Sequence, residues 1–408
     1  MRNVPPCLLA LSTFVLLAAT TADLAHAQEV TATPSGELMV RFRHIEGHNF
    51  APGGVDNFMR QRARLGLRFA YGDEVQALVQ VQDVRTWGEE SDTLGDFSAN
   101  GFDLHQGYLE LAVDSDLRLR IGRQEIQLLN QRLIGNVGFV EQGRSFDAVR
   151  LMARAFDQQL SIDVFYARTL DALPVASQAA DDLFAYALKL QLGDYFQPAL
   201  IGVLDLSSGT DRVRMTQGVV LQSEFPFGLR FGIEGYVQAG SATVEAADVG
   251  YLAWMFATRL RFTLVDSDAA PFLEAFVETL SGDDDPSDSN EHVFDTLFAT
   301  NHKFYGEGDF FLNIPADTAK RGLLDAGAML GAKLGEDGFG QLAFHIFQTM
   351  AGRGGATSYG QEIDLTVGVK LNPHLALDFN YSLFIPGAAL VADGNVEHFI
   401  YSTASASF

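Results

Sequence analysis

The chain has 408 residues, of which 47% are hydrophobic and 20% charged, and its formal net charge is −24. This apolar content excludes an acidic disordered tail and a collagen-like chain. The excess of acidic residues, with no run of five or more basic ones, argues against a nucleic-acid partner, because such a surface repels phosphate.

The N-terminus has the features of a secretory signal peptide. Residues 8–19 form a largely apolar segment, and residues 25–27 have the A-x-A pattern of a cleavage site. We expect residues 1–27 to be removed and residues 28–408 to form one domain. The only cysteine, Cys7, lies in the leader, so the mature chain is predicted to form no disulfide. The alternative is an N-terminal membrane anchor, for which the apolar segment is short.

Beyond the leader the dominant pattern is a two-residue alternation of apolar and polar side chains. Arg60, Arg62 and Arg64 share one parity, and Leu65 and Leu67 occupy the other. Segments of about 9–11 residues with this period are typical of tilted membrane strands. Eighteen segments show the alternation: 37–45, 58–70, 75–84, 105–113, 116–126, 147–155, 159–166, 183–192, 198–205, 213–224, 228–237, 251–263, 270–281, 323–334, 338–350, 362–371, 375–384 and 398–408.

The connections between these segments alternate between short and long. Short ones such as 71–74 and 372–374 are typical of periplasmic turns, and long ones of outer loops. The order predicts an all-β transmembrane antiparallel barrel of about 18 strands in the outer membrane of a Gram-negative bacterium, in contact with lipid and lipopolysaccharide. The alternative is a secreted, water-soluble all-β protein. The long connections are predicted at 46–57, 85–104, 127–146, 167–182, 238–250, 282–322 and 385–397.

Arginine is concentrated in the first half of the chain. Residues 36–170 hold fifteen arginines and no lysine. Guanidinium groups bind carboxylates bidentately and stay charged, so arginines on one face of a lumen raise the local concentration of anions. The sequence therefore predicts an anion path. The arginines assigned to the lumen by parity are Arg41, Arg43, Arg60, Arg62, Arg64, Arg118, Arg120 and Arg150, and we expect Arg214, Arg259 and Arg261 to face inward as well.

The alternative role for these arginines is to brace the barrel by pairing with lumen carboxylates. Four carboxylates take the polar parity on their own strands: Glu110, Glu362, Asp364 and Asp378. The two roles are compatible if different arginines serve each one.

Four further arginines lie at strand ends or in long connections, and we predict that they form an outer constriction: Arg85, Arg123, Arg132 and Arg144. The alternative is ion pairing between loop and wall, with Asp83, Glu125 and Asp147 as partners. The longest connection, 282–322, is rich in aromatic residues and is predicted to fold inward as a plug or gate. An exposed loop is the alternative.

Several motifs resemble the alginate export family. The most specific is Ile121-Gly122-Arg123-Gln124-Glu125 followed by Gln131-Arg132-Leu133-Ile134-Gly135, and Gly143-Arg144-Ser145-Phe146-Asp147 supports it. The resemblance implies an eighteen-stranded outer-membrane barrel that passes a polyuronate through an arginine-lined pore. It also implies an anionic small-molecule or polysaccharide substrate and periplasmic export partners.

Enzymatic interpretations find little support, since the sequence has no nucleophile elbow and no P-loop. His44 and His48 on one strand would lie about 13 Å apart, too far to bind one metal. We expect no catalytic activity, cofactor or metal. The predicted function is a channel for anionic solutes, among them uronate polymers or oligomers. The alternatives are a porin for uptake of other small solutes and a sealed barrel whose loops bind a surface partner.

Overall fold

The computed structural model describes residues 30–89, 102–170, 180–244 and 247–408. The predicted leader, residues 1–27, lies outside these ranges, so its cleavage stays a prediction. Parts of the predicted connections 85–104, 167–182 and 238–250 also lie outside them.

Nineteen strands in the described residues form one sheet, and one of them has only two residues. The remaining eighteen match the number predicted from the alternation. The strands are β1 (Val30–Glu46), β2 (Val55–Tyr71), β3 (Val75–Thr86), β4 (Phe102–Ala112), β5 (Leu117–Gln124), β6 (Phe146–Ala155), β7 (Leu160–Leu170), β8 (Asp181–Leu190), β9 (Phe196–Ser207), β10 (Arg212–Glu224), β11 (Leu229–Val244), β12 (Ala247–Thr263), β13 (Phe272–Leu280), β14 (Asn290–Glu291), β15 (Leu323–Leu334), β16 (Gly338–Gln348), β17 (Ser358–Asn372), β18 (Leu375–Pro386) and β19 (Glu397–Ser407).

Helical structure in the described part of the chain is limited to three short 3-10 segments: His48–Phe50, Asn301–Lys303 and Ala316–Thr318. Within the same ranges, none of the helices has the length and hydropathy to cross a membrane.

The sheet closes on itself. Each long strand pairs antiparallel with its neighbours along the chain, and β1 pairs both with β2 and with β19. Arg41, for example, lies opposite Arg60 on one side and Thr403 on the other. Closure gives every described long strand a partner on each side, which is what a sheet in lipid requires. The predicted fold class, a transmembrane antiparallel barrel, is confirmed.

The two faces of the wall differ in the way the alternation predicts. Leu65 on β2 is 62% exposed and points outward, whereas Arg62 and Arg64 are 6% and 7% exposed and point into the barrel. Because strand side chains alternate with a period of two, this sets the register of the whole strand. Many exposed apolar side chains share the outward face, among them Val79, Leu109, Ile121, Leu151 and Phe256.

The connections follow the predicted order with two differences at the long-loop end. Strands β11 and β12 run through the predicted loop 238–250, pairing from Gln238 with Ala253 up to Val244 with Ala247. The predicted long connection at 238–250 is therefore wrong, since the small side chains of residues 239–242 permit continued backbone pairing. The connection between β9 and β10 at the same end is only 208–211.

The apolar core lies inside the barrel. Two long connections enter it, which we name loop A (residues 125–145) and loop B (residues 281–322). Ile134 of loop A and Phe294 of loop B are both 0% exposed, and they belong to one buried cluster with wall residues such as Val203. A barrel of this size encloses an aqueous channel unless something fills it, and here the two loops do so.

Candidate functional site

Loops A and B pair with each other across the lumen, and together they are named the plug. Ile134 and Phe298 form a parallel bridge. Gly135 N–H donates to the Phe298 carbonyl at 2.8 Å, and Phe298 N–H donates to the Leu133 carbonyl at 2.9 Å. The sequence predicted that residues 282–322 fold inward, but it did not anticipate that loop A fills the lumen with them. The apolar residues of loop A between 126 and 134 were the available signal.

Arg132 ties loop A to the wall and to loop B. Its Nη1 and Nη2 each donate to a carboxylate oxygen of Glu278 on β13 at 2.6 Å. Its guanidinium also lies 3.4 Å from the centre of the Phe304 ring in loop B. Burial alone would lower the pKa of Arg132, but the carboxylates of Glu278 and Glu234 raise it. Arg132 therefore stays charged and links the plug to the wall, and the Glu278 carboxylate compensates its charge.

Arg144 has a similar structural role. Its Nη1 donates to the carbonyls of Gly135 and Ala299 at 3.2 Å each, and to that of Phe298. Burial lowers the pKa of Arg144 to about 10. The Arg144 guanidinium remains charged at neutral pH, and its hydrogen bonds join loop A to loop B.

The positions of Arg85 and Arg123 correct the prediction that they form the outer constriction. Arg85 Nε donates to Asp83 at 2.7 Å, and Arg123 Nη1 lies 3.2 Å from Asp147. Both arginines fall on the outward parity of their strands, since Arg85 shares parity with the exposed Val79 and Arg123 with the exposed Ile121. Their partners are two of the carboxylates named by the alternative interpretation, but the pairs join wall residues to each other and not a loop to the wall.

Lumen arginines of the first two strands form a compact basic group, named the β1–β2 cluster: Arg41, Arg43, Arg60, Arg62 and Arg64. These five guanidinium groups contact three carboxylates, Glu37, Glu125 and Glu141. Glu37 lies on β1, whereas Glu125 and Glu141 lie in loop A. The described contacts therefore leave an excess of positive charge at this wall.

Other predicted lumen arginines are paired with carboxylates on the neighbouring strand. Arg120 Nε donates to Glu110 at 2.7 Å, and Arg118 lies 3.3 Å from the same carboxylate. Arg150 Nε donates to Asp163 at 2.9 Å. Here three guanidinium groups contact two carboxylates, so this part of the wall has a smaller positive excess than the β1–β2 cluster.

The remaining predicted carboxylates lie on two strands beyond β19, which are two and three places from β1 in the closed sheet. Glu362 and Asp364 are buried on the lumen face of β17, and Asp378 is half-buried on β18. Within the described ranges no arginine lies at ion-pair distance from Glu362 or Asp364, which corrects the expectation that they brace arginines. Glu362 instead accepts the N–H of Gly308 in loop B at 2.7 Å, and His345 lies 3.8 Å from Asp364.

Arginines on the later strands are also paired, and Arg259 and Arg261 border a cavity of about 1180 Å³ at the short-turn end. Arg214 lies 2.8 Å from Asp205, and Arg261 Nε donates to Glu274 at 2.7 Å. The cavity is lined by Arg259, Arg261, Glu274, Lys303 and Phe304, and by residues of the turn 225–228.

Several carboxylates that pair with lumen arginines were not predicted from the sequence, among them Glu37, Glu141 and Glu278. Glu37 and Glu278 lie on strands, and the parity that they share with the polar neighbours Arg41 and Glu274 was a usable signal. Glu141 lies in a loop, where parity has no meaning, so no local signal was available.

No metal-binding arrangement is present in the described residues, since no group of three or more His, Cys, Asp or Glu side chains is placed to hold an ion. His44 Nδ1 lies 2.7 Å from Asn57 Oδ1, and His48 contacts Asp56 instead. The two histidines therefore have separate partners.

Comparison with known proteins gives a family and a fold. The family model described as alginate export matches residues 36–314 and 333–399. No curated protein matches the sequence.

Among solved structures, OccK9 (OpdG) of Pseudomonas aeruginosa is similar with a TM-score of 0.62 and 12% identity, over 92% of this chain and 98% of that one. The outer membrane protein opdK of the same organism is similar with a TM-score of 0.59 and 10% identity, over 92% of this chain and 98% of that one. OccAB4 of Acinetobacter baumannii is similar with a TM-score of 0.59 and 12% identity, over 94% of this chain and 100% of that one. Identities this low show a common fold.

Proposed function

This chain belongs to the alginate export family of outer-membrane channels, and from that premise we propose that it conducts small anionic solutes of the carboxylated-sugar class along the β1–β2 cluster. As an outer-membrane barrel of a Gram-negative bacterium, it presents its apolar outward face to lipid. Periplasmic export partners, which the family resemblance implies, remain part of the proposal.

The observation that carries the proposal is the charge balance of the β1–β2 cluster. Five guanidinium groups on one wall contact three carboxylates, two of which are supplied by a loop. Fixed positive charge in a confined lumen with low-dielectric walls attracts anions more strongly than the same charge in open water. This local excess outweighs the repulsion expected from the overall charge of −24, because salt screens distant exposed charges.

The filled lumen supports small solutes over polymers. Loop residues Ile134, Phe294 and Phe311 are at most 1% exposed inside the barrel, so the plugged state leaves little room for a polysaccharide. Passage of a uronate polymer would require the plug to move.

A second candidate is a porin for uptake of other small solutes. It is favoured by the wall at β17, where Glu362 and Asp364 face the lumen without an arginine partner in the described residues. Such a wall would attract cations and offset the anion preference.

Reversal potentials of the purified barrel in a planar bilayer with a potassium chloride gradient test the proposal. We expect anions to be more permeant than cations, and we expect Arg60→Gln to reduce this ratio, since the Arg60 side chain is 37% exposed to the lumen. Arg68→Gln is the matched control, because Arg68 lies on the same strand and contacts Gln76 rather than a cluster carboxylate. A cation-selective potential contradicts the proposal, and the absence of current steps would indicate a sealed barrel.

A further inference from the structure

A short stretch of loop A lies along the β1–β2 cluster as a bound ligand would. Residues 138–142 offer their backbone carbonyls to successive arginines of the wall. Arg41 Nη1 donates to the carbonyl of residue 139 at 2.7 Å, Arg62 Nη1 to that of residue 140 at 3.2 Å, and Arg64 Nη2 to that of residue 142 at 3.3 Å. The Arg41 guanidinium also lies 4.0 Å from the centre of the Phe139 ring, so the segment is held by backbone oxygens and by a cation–π contact.

Glu141 supplies the one carboxylate in this segment. Its side chain is 0% exposed, and its Oε1 lies 3.2 Å from Arg41 Nη1 and 3.4 Å from Arg43 Nη2. Its Oε2 lies 3.5 Å from Arg60 Nη1. One carboxylate thus serves three guanidinium groups.

Some hydrogen-bonding atoms of this contact lack a partner. Oε2 of Glu141 and Nε of Arg43 are both buried and have no hydrogen-bond partner. Buried charged groups are costly unless they are paired and hydrogen-bonded. A ligand with more carboxylate oxygens would satisfy the three guanidinium groups better than Glu141 does.

The two sides of the contact also differ in how readily they can move. The arginines are fixed on β1 and β2, which are paired along their whole length. Glu141 lies in a loop, and loops open at lower free energy than paired strands. Exchange of the carboxylate at this site would therefore proceed by movement of loop A.

We propose that residues 138–142 are an internal ligand of the β1–β2 cluster, in which Glu141 occupies the place of a solute carboxylate and is displaced when such a solute enters. The inference rests on the proposed function, because it describes how that path is controlled. It adds that the plug is released by competition for the arginines.

The geometry also specifies the class of solute. Inward side chains on one strand repeat about every 7 Å, so the cluster offers several anchoring positions along the barrel axis. A solute with several carboxylates in a row can engage more than one position, and linked sites bind more tightly than separate ones. Oligouronates should therefore displace Glu141 at lower concentrations than a single uronate.

The test is the block of single-channel current by a galacturonate trimer. Glu141→Gln removes the competing charge with little change of shape, and we expect it to lower the half-blocking concentration about tenfold, as loss of one charge-assisted contact implies. The matched control is Glu110→Gln, which removes a lumen carboxylate fixed on β4 and paired with Arg120. The control should change the half-blocking concentration much less.

Each outcome of this experiment supports or overturns the inference. An anion-selective wild type in which Glu141→Gln leaves the block unchanged or weaker overturns the inference alone, and so does an equal effect of the control. A cation-selective wild type overturns both the inference and the proposed function. If Glu141→Gln does not fold, Glu141→Asp keeps the charge but shortens its reach, and it should still lower the half-blocking concentration.

Discussion

The tether between Arg132 and Glu278 should decide whether the plug stays in the lumen. Arg132→Met keeps an unbranched side chain of similar length but removes the two 2.6 Å hydrogen bonds and the contact with the Phe304 ring. Loss of one partner from a buried ion pair costs about 3–5 kcal/mol. Glu278 keeps Arg259 at 2.7 Å, so its charge is not left alone and the lower end of that range applies.

A loss of about 3 kcal/mol corresponds to a change of about 150-fold in the ratio of plugged to unplugged barrels. We therefore expect Arg132→Met to raise the frequency or the size of open-state currents in a planar bilayer. It should also lower the temperature at which the folded gel mobility is lost.

The double variant Arg132→Met with Glu278→Met is the informative comparison. Replacement of both members of a buried pair by apolar side chains is often neutral, and Arg259 retains Glu274 at 3.1 Å. The double variant should recover much of the stability lost in the single one. A folded Arg132→Met barrel with wild-type currents and melting would refute the reasoning that this pair holds the plug.

The remaining predictions concern the loop, the wall and pH. Replacing residues 282–322 by a short flexible linker should raise single-channel conductance, and unchanged conductance would indicate an outer cap rather than a plug. Arg62, Arg120 and Arg150 each contact a carboxylate, so their joint replacement by Gln should lower the temperature at which folded gel mobility is lost. Unchanged melting with reduced anion selectivity would contradict bracing. Burial alone would lower the pKa of His302, but Asp309 and Glu307 raise it from 6.5 to about 9. The charged imidazole therefore stabilises the plugged state fully below pH 6.5, and this stabilisation is lost as the pH rises through about 9. Channel opening should increase across that upper pH. Absence of this step in wild type, or its persistence in His302→Asn, would argue against the assignment.

The inward and outward faces of the barrel wall could be predicted from the sequence, because the alternation within each strand indicates which side chains share a face. Arg62 and Leu65 lie on opposite faces of β2 because strand side chains alternate with a period of two. That period does not depend on distant residues. Arg123 shows the limit of residue type as a guide, since its parity already placed it with Ile121 on the outward face.

The interior of the barrel was less accessible because its contacts join distant parts of the chain. Ile134 and Phe298 are bridged although they are far apart in sequence, and no local pattern specifies that pair. The same holds for Glu141, which reaches Arg41 and Arg43 only after loop A has folded inward. The family resemblance around Arg132 indicated a special segment but not its partner.

The most direct test of anion conduction compares two sugars of nearly equal size in proteoliposomes. Swelling rates in sodium galacturonate and in galactose report how fast each enters through the barrel. Positive charge on the β1–β2 cluster predicts faster entry of the uronate than of the neutral sugar. Equal rates, or faster entry of galactose, would contradict the claim that these arginines form an anion path.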